Sequence, residues 1–437
     1  MHLFDISIEN GLIITMDEER SIVRNGVLGV KGDTISFVGP SKEISFKALK
    51  SIDARGCLVL PGLVNCHTHS AMSLFRGLAD DLPLMEWLTR YIFPVESKIN
   101  GQFVYDGTLL ACAEMIMSGT TTFCDMYIFE DQVATAAKEA HMRCLVGEVL
   151  YDFPSPNYGD IDKGFEYTEA LIDRWKSDPL VSIAVEPHSL YTCSPELLTR
   201  AMRIATDHDV PYITHFAETL SEIKEIRERF KKSPLEHLED LDLLGPNLVG
   251  AHCVHLDNGE LSRMADSGMK VVNNPESNMK LASGIAPVPE MLSLGITVGL
   301  GTDGCASNNN LDLFAEMDMA AKIHKVNTMD PTAADAVTVL AMATIEGARA
   351  IGLEGITGSL VKGKKADIII MDVCKPHLTP MYNPYSQIVY SARGNDIIHS
   401  IINGKIVMED RRLLTLDLER ILARSHDLAG KIKSWLS

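Results

Sequence analysis

The sequence has no long apolar run, no paired-cysteine motif and comparatively few basic residues. None of its uninterrupted apolar stretches reaches the roughly 18 residues that a membrane-spanning helix needs, and residues 1–12 lack the basic and apolar segments of a targeting signal. The nine cysteines are an odd number without C-x-x-C spacing, which disfavours a disulfide framework or a zinc knuckle. We therefore expect a cytoplasmic protein with reduced thiols and no membrane partner.

Acidic residues outnumber basic ones by 59 to 40, which gives the 437 residues a formal net charge of −19. A surface of this sign repels polyanions. We therefore expect no nucleic-acid partner.

The two ends of the sequence have the composition of short β-strands. Residues 1–56 and 355–437 alternate apolar or β-branched residues with polar ones and are interrupted by glycine and asparagine, as in "GVLGVKGDTISFVG" and "DIIHSIINGKIVMED". Apolar residues at helical spacing predict a last helix over 416–436. We expect both ends to meet in one small β-sandwich.

Residues 57–354 alternate short apolar runs with helical stretches, which is the pattern of a parallel sheet with helical connections. Eight such runs predict an α/β fold of the (β/α)₈ TIM-barrel type, in which active-site residues collect at the carboxyl ends of the strands. The runs are "CLVLPGLVN" (57–65), "TTFCD" (121–125), "RCLVGEV" (143–149), "VSIAVEP" (181–187), "PYITH" (211–215), "NLVGAH" (247–252), "KVVNN" (270–274) and "ITVGLGTD" (296–303).

Polar residues end these runs at the edge where a barrel collects its active site. Loops are polar, so some polar residues are expected there, but chance alone would not be expected to put five of the fourteen histidines and a Thr-Asp pair there. The residues are His67, His69, Asp125, Glu148, His188, His215, His252, Asn273, Asn274 and Asp303.

The H-x-H pair His67 and His69 is a candidate metal site. Alternate residues of a strand point to the same side, so both imidazoles can converge on one ion, although a hydrogen-bonded structural pair explains this motif alone equally well. His215 and Asp303 add a third imidazole and a carboxylate at two further strand ends. A second metal ion would be bridged by a carbamylated lysine at the end of the fourth run, and no lysine is present there. We therefore predict one zinc ion, with Fe²⁺ or Mn²⁺ as alternatives that these ligands also accept.

Glu218 and His252 are candidates for proton transfer beside that ion. Glu218 lies three residues after His215 in "HFAET", within reach of the same cavity, with a solvated loop carboxylate as the alternative. His252 ends the sixth run and can hydrogen-bond an attacking water or a developing oxyanion.

Five motifs together resemble the amidohydrolase superfamily, in matching order and over essentially the whole chain. Within it the sequence is most similar to the 5′-methylthioadenosine/S-adenosylhomocysteine deaminases, which are related to triazine chlorohydrolases and guanine deaminases. The motifs are "PGLVNCHTHSAMSLFRGLADDLPLMEWL", "HFAET", "NNPESNMKLASGIAPV", "GLGTDGCASNNNLDLF" and "GSLVKGKKADIIIMD".

The resemblance implies a catalytic role for three residues. Glu218 matches the proton donor, and His252 matches the histidine that polarises the attacking water. Asp303 matches a zinc ligand that also takes the proton of the water and passes it to the leaving amine, while Glu218 protonates ring N1 of an adenine attacked at C6. The residues that match zinc ligands are His67, His69, His215 and Asp303.

The resemblance also implies how a nucleoside binds. Glu96 in "FPVESK" matches a residue that binds the ribose hydroxyls, and His188 matches a substrate-binding histidine. Trp87 occupies a position at which the family has an aromatic side chain near the nucleoside, with a core tryptophan as the alternative. Glu218 and Asp303 would contact the purine as well.

Glu148 bears on the choice of substrate. Family members that accept S-adenosylhomocysteine carry an arginine just after the third strand, where it meets the substrate carboxylate, and Glu148 lies near that position here. The expected substrates are therefore 5′-methylthioadenosine, 5′-deoxyadenosine or adenosine, ahead of S-adenosylhomocysteine.

The metal motifs leave other functions open. They are shared with guanine or other free-base deaminases and with triazine chlorohydrolases, and a third alternative is a non-catalytic scaffold with this fold. The family also leads us to expect a homo-oligomer, either a dimer or a tetramer.

Overall fold

The computed structural model describes residues 2–82, 86 and 88–436. Trp87, which is predicted to lie near the nucleoside, is outside these residues. The described strands are β1 His2–Ile14, β2 Ile22–Lys31, β3 Thr34–Pro40, β4 Phe46–Asp53, β5 Cys57–Pro61, β6 Leu63–Thr68, β7 Thr120–Tyr127, β8 Arg143–Leu150, β9 Val181–Ile183, β10 Glu186–Pro187, β11 Tyr212–Phe216, β12 Leu248–His252, β13 Lys270–Asn273, β14 Val298–Leu300, β15 Ile368–Asp372, β16 Ile397–Ile402, β17 Lys405–Glu409 and β18 Arg412–Leu413.

Helices connect most of these strands, and none of those in the described ranges has the length and apolar character needed to cross a bilayer. Side chains next to the first turn cap several of these helices. Asp257 and Glu260, for example, form a reciprocal capping box at the start of the helix Asn258–Ser267. The α-helices are α1 Phe93–Glu96, α2 Gly101–Ser118, α3 Glu130–Ala140, α4 Ile161–Trp175, α5 Pro195–His208, α6 Leu220–Phe230, α7 Pro234–Asp240, α8 Asn258–Ser267, α9 Pro275–Lys280, α10 Val288–Ser293, α11 Leu313–Thr328, α12 Ala336–Met342, α13 Ile345–Ala350, α14 Pro384–Tyr390 and α15 Leu418–Leu436.

The first and last parts of the sequence share one nine-stranded sheet. Its order is β18-β17-β16-β15-β5-β1-β2-β3, with β4 paired to β1. Fully buried residues from both parts, including Ile8, Leu28, Ile368 and Ile370, pack in one apolar core. The predicted meeting of the two ends is therefore observed as a single hydrogen-bonded sheet.

The middle of the chain is a mixed α/β architecture with parallel strands, as its alternating pattern predicts. One parallel sheet has the order β10-β8-β7-β6 with β9 on β8, and a second has the order β11-β12-β13-β14. A parallel bridge from Val185 to Tyr212 joins the sheets along one edge. Along the other edge Asn65 Nδ2 donates to Thr302 Oγ1 at 2.8 Å, which links β6 to the residues after β14.

The first predicted strand, over 57–65, is two strands in the structure. The chain divides at Gly62, where a side chain would bring a Cβ within 2.0 Å of the Thr121 hydroxyl. The part before Gly62 is β5, which pairs antiparallel with β15 in the terminal sheet. The part after it is β6, which pairs parallel with β7 and leads to His67.

The last helix, α15, packs beside the segment between β6 and β7 that contains α1 and α2. Arg424 Nε of α15 donates to Asp106 Oδ2 of α2 at 2.9 Å, and the ring of Trp435 lies 5.9 Å from that of Phe103. Lys98 Nζ donates to the carbonyl of Trp435 at 2.8 Å, two residues beyond Glu96. The end of the chain thus supports the segment that carries a predicted substrate-binding residue.

Candidate metal centre and adjoining pocket

The four predicted metal ligands lie together. The ring centroids of His67 and His69 are 4.9 Å apart, and the ring of His215 lies 4.9 Å from His67 and 5.4 Å from His69. Asp303 Oδ1 approaches His69 Nε2 at 3.1 Å and His67 Nε2 at 3.7 Å. Residues from three distant parts of the sequence therefore meet at the carboxyl ends of β6, β11 and β14.

The donors fit a divalent cation. His67 is fully buried, and neither of its ring nitrogens has a hydrogen-bond partner among the described residues. Burial lowers the pKa of His67 and of His215 well below the ordinary value, which keeps both imidazoles in the neutral, metal-binding form. A fully buried, unpartnered imidazole is costly, and a cation would satisfy it.

His252 is as close to the centre as the predicted ligands. One ligand atom from each of His67, His215 and His252 lies within 4.8 Å of the others, and the same holds for His67, His69 and Asp303. The sequence assigns His252 to water polarisation, and its distance from the centre is compatible with that role or with ligation.

Carbonyl and amide oxygens orient the other rings. Met126 O lies 2.5 Å from His69 Nδ1, and His188 O lies 2.7 Å from His215 Nδ1. Asn278 Oδ1 lies 2.8 Å from His252 Nδ1. Each contact occupies Nδ1 and leaves Nε2 for the centre, the arrangement by which protein groups orient histidine ligands.

Asp303 is held by groups that the sequence analysis missed. The hydroxyls of Ser277 and Ser307 each donate to Oδ2 at 2.6 Å, and the Gly304 N–H donates to Oδ1 at 2.8 Å. Despite burial, the hydrogen bond and charge of His69 hold the pKa of Asp303 well below its usual range. Both serines lie in motifs already singled out, "NNPESN" and "GTDGCAS", but neither has a spacing that marks it as a partner of Asp303.

The backbone is strained where the strands end. Ala217, His252, Cys253 and Asp303 all have positive φ, between 49° and 73°. For residues other than glycine such conformations cost about 1–3 kcal/mol each and persist only where the surroundings impose them. Their concentration next to the histidines is typical of a functional site.

Glu218 lies three residues after His215 and is half-buried. Ser283 Oγ donates to its Oε1 at 3.3 Å, and its own N–H donates to Glu222 Oε2 at 2.8 Å. The Ala217 N–H donates to the other oxygen of Glu222 at 3.1 Å, and burial raises the pKa of Glu222 to about 7. Glu222, which the sequence analysis did not single out, therefore fixes the backbone at Ala217 and Glu218.

Glu96 and His188 flank the centre. The Tyr127 hydroxyl donates to Glu96 Oε1 at 2.8 Å, and the Tyr127 ring lies 6.2 Å from that of His69. The His188 ring lies 4.9 Å from His215, and its Nδ1 contacts the Thr192 hydroxyl at 2.9 Å. Burial lowers the pKa of His188 to about 4, so that its imidazole is neutral. Both residues lie near the predicted metal ligands, Glu96 through Tyr127 and His188 directly, and their substrate contacts stay a prediction.

Glu148 is engaged within the protein. It is fully buried, and its two oxygens accept the Glu130 N–H at 3.0 Å and the Asn157 side-chain amide at 2.9 Å. Its predicted contact with substrate therefore competes with these bonds.

Four carboxyl groups, those of Asp125, Glu130, Glu148 and Glu186, are fully buried on or beside β7, β8 and β10. Gly147 makes room for one of them, because a Cβ there would lie 2.4 Å from Cγ of Glu186. Burial raises the pKa of Asp125 to about 6 and that of Glu148 to about 7, and it raises those of Glu130 and Glu186 well above the ordinary value. Near neutral pH the protons of this cluster are therefore held chiefly by Glu130 and Glu186.

We expect Glu186→Gln to flatten the pH dependence of stability. Because the folded-state pKa of Glu186 is raised, its protonated carboxyl contributes fully to the free energy of unfolding below pH 4.5. That contribution declines as the pH rises through the folded-state pKa. The glutamine variant has no proton to lose, so its Tm should exceed that of the wild type by about 2–4 °C at pH 8 and match it at pH 5. The exposed Glu169→Gln is the control, and equal Tm differences at both pH values would contradict the prediction.

The fold and these residues define a class: α/β proteins with a histidine- and aspartate-rich centre at the carboxyl ends of parallel strands. The chain belongs to the amidohydrolase family, whose sequence profile matches residues 58–407. The family predicted from the five motifs is thus confirmed.

Named relatives span the whole chain. A 5-methylthioadenosine/S-adenosylhomocysteine deaminase of Syntrophobacter fumaroxidans is 56% identical over 431 residues, 98% of each chain. A 5′-deoxyadenosine deaminase of Methanosarcina mazei is 43% identical over 430 residues, again 98% of each chain. Among solved structures, an adenosine deaminase of Xanthomonas campestris with bound zinc is 36% identical, with a TM-score of 0.98 and 99% of both chains covered.

Proposed function

We propose that the protein is a hydrolytic deaminase that converts the 6-amino group of an adenosine-type nucleoside to a 6-oxo group and releases ammonia. The observation that carries this proposal is the unpartnered, buried His67 beside His69, His215 and Asp303. The half-buried Glu218 follows His215 by three residues. The names of the relatives support the same reaction, and they support 5′-methylthioadenosine, 5′-deoxyadenosine, adenosine and S-adenosylhomocysteine as the candidate substrates.

We further propose that the two parallel sheets close into one (β/α)₈ barrel over residues 57–354. The Val185–Tyr212 bridge and the Asn65–Thr302 hydrogen bond support closure at its two seams. The shared apolar core of the terminal sheet supports a sandwich built from residues 1–56 and 355–437. The pairing of β5 with β15 favours drawing the boundary after Pro61.

His67, His69, His215 and Asp303 would hold one divalent metal ion, with zinc as the proposed metal and Fe²⁺ or Mn²⁺ as alternatives. When bound, the ion would make a water molecule acidic enough to attack near neutral pH. Because the rings of His69 and His215 are fixed through Nδ1, they would reach the ion through Nε2.

The chain's own residues would move the protons. Asp303 would take a proton from the attacking water through Oδ1, since two serine hydroxyls already satisfy Oδ2. Glu218 would protonate ring N1 as the water oxygen bonds to C6, and His252 would hydrogen-bond the attacking water. The proton on Asp303 then passes to the amine, which leaves as ammonia, and the proton of the new hydroxyl returns to Glu218.

Substrate binding would use the groups around that centre. Glu96, fixed by Tyr127, would accept hydrogen bonds from the ribose hydroxyls, and the neutral His188 would hydrogen-bond the nucleoside. Two further contacts are proposed from the family resemblance: the Trp87 ring would lie near the nucleoside, and Glu148 would contact the substrate. We also propose that the protein forms a dimer or tetramer and that it is located in the cytoplasm.

Ammonia release tests the reaction directly. The metal-loaded protein would be assayed with adenosine, 5′-methylthioadenosine, 5′-deoxyadenosine, S-adenosylhomocysteine, guanine, cytosine and a chlorotriazine. We expect the highest kcat/KM for adenosines with an uncharged 5′ group. Faster turnover of a free base, or chloride release from the triazine, would instead support the other amidohydrolase reactions. No turnover of any compound would support a non-catalytic scaffold.

A further inference from the structure

Two aromatic rings meet the ring of His188, and a third stacks on one of them. The rings of Tyr151 and Phe153 stack with centroids 3.9 Å apart and planes at 12°. Tyr151 meets the His188 ring edge-on at 6.5 Å, and Tyr191 also meets the His188 ring edge-on, at 5.9 Å. We refer to Tyr151, Phe153 and Tyr191 as the aromatic wall.

The aromatic wall runs from the candidate centre to solvent. Burial, with smaller contributions from the charges of Glu96 and Glu148, raises the pKa of Tyr151. Burial and the charge of Glu218 do the same for Tyr191. The wall therefore lies within electrostatic range of the residues proposed to bind ribose and to protonate the purine. At its outer end the side chain of Phe153 is 48% exposed, which leaves ring surface for a ligand to cover.

We propose that the aromatic wall binds the 5′ substituent of the nucleoside and selects uncharged, apolar groups such as a methylthio group. The inference rests on the proposed function, in which C6 lies at the centre, Glu96 binds the ribose and His188 binds the nucleoside. The rings of Tyr151 and Tyr191 meet that of His188, so they would lie beside the remaining part of the nucleoside, its 5′ substituent. A thioether gains sulfur–ring contacts and apolar burial there. An amino-acid substituent would lose hydration of its ammonium and carboxylate against the rings.

Cations near the pocket do not offset that loss. Arg229 contacts the wall through the backbone: its guanidinium donates to the Tyr191 carbonyl at 3.0 Å and lies 5.0 Å from the ring centroid of Phe230. Arg76 is paired with Glu114, and the buried Arg143 with Asp367. Arg229 is therefore the competing candidate for binding a substrate carboxylate.

The test is a comparison of substrates with the Phe153→Ala variant. We expect its kcat/KM for 5′-methylthioadenosine to fall about five- to tenfold, because the sulfur contacts and apolar cover are lost. The value for adenosine, which has no thioether, should stay within about twofold. Phe153→Leu should recover most of the loss. Leu49→Ala, at an exposed position in β4, is the control for removal of a surface apolar side chain.

A second variant tests the exclusion of charge. Phe153→Arg should raise the ratio of kcat/KM for S-adenosylhomocysteine to that for 5′-methylthioadenosine at least about fivefold, since a guanidinium pairs with the carboxylate. Equal effects of Phe153→Ala on both nucleosides would overturn the proposal. So would efficient wild-type turnover of S-adenosylhomocysteine that is lost in Arg229→Ala. Failure of the wild type to deaminate any of the adenosine-type compounds would reject the proposed function itself, which separates the two results.

Discussion

Replacing Glu218 by glutamine is expected to lower kcat for deamination by about 10²-fold or more without loss of metal. The glutamine keeps the size of the side chain and can still contact Ser283, but it has no proton to give to ring N1. Because Glu218 would act mainly in the transition state, kcat should fall much more than KM changes. Steady-state ammonia release and metal analysis of the same preparation measure both quantities.

Two further variants frame that result. Glu228→Gln, on the exposed side of α6, should leave kcat unchanged. Glu222→Gln should give an intermediate loss, because the amide retains one acceptor for the two backbone N–H groups that position Glu218. Near-normal turnover in Glu218→Gln would show that another group donates the proton.

The His67→Leu variant should lose bound zinc and at least about 10³-fold of turnover, since a catalytic metal contributes several kcal/mol. Stability provides a readout that does not depend on activity. In the metal-free state the variant should be no less stable than the wild type, because leucine removes a buried imidazole whose two nitrogens have no partner. Added zinc should raise the Tm of the wild type only.

The size of that stabilisation follows from mass action. At a free zinc concentration 100 times Kd, the folded state gains about 2.7 kcal/mol. Replacing the exposed His426 by leucine is the control and should retain both the zinc and the Tm increase. One equivalent of zinc retained by His67→Leu, together with normal activity, would rule out His67 as a ligand.

The sequence predicts much of this fold because parallel strands that are buried on both faces appear as continuous apolar runs. All eight predicted runs contain strands of the two parallel sheets. The division at Gly62 was not predictable, since an unbroken apolar run looks the same whether it serves one sheet or two. At Gly62 the backbone passes close to Thr121, which is distant in the sequence.

The same contrast applies to the candidate site. His67, His69, His215 and Asp303 could be found because each stands at or just after the end of an apolar run. Their supporting groups could not, because these act across the chain. Ser277 contacts Asp303 over a separation of 26 residues, and Tyr127 contacts Glu96 over 31. No short motif encodes such pairs, and only the folded structure brings them together.

The pairing of β5 with β15 also has a consequence for biosynthesis. Residues 57–61 can pair with β1 at once, but their second neighbour, residues 368–372, leaves the ribosome much later. At about 5–20 residues per second, that edge of the first strands stays open for roughly 15–60 s. An open strand edge recruits strands from other chains. Slower synthesis or a missing chaperone should therefore reduce the yield of folded protein through this terminal sheet before it affects the two parallel sheets.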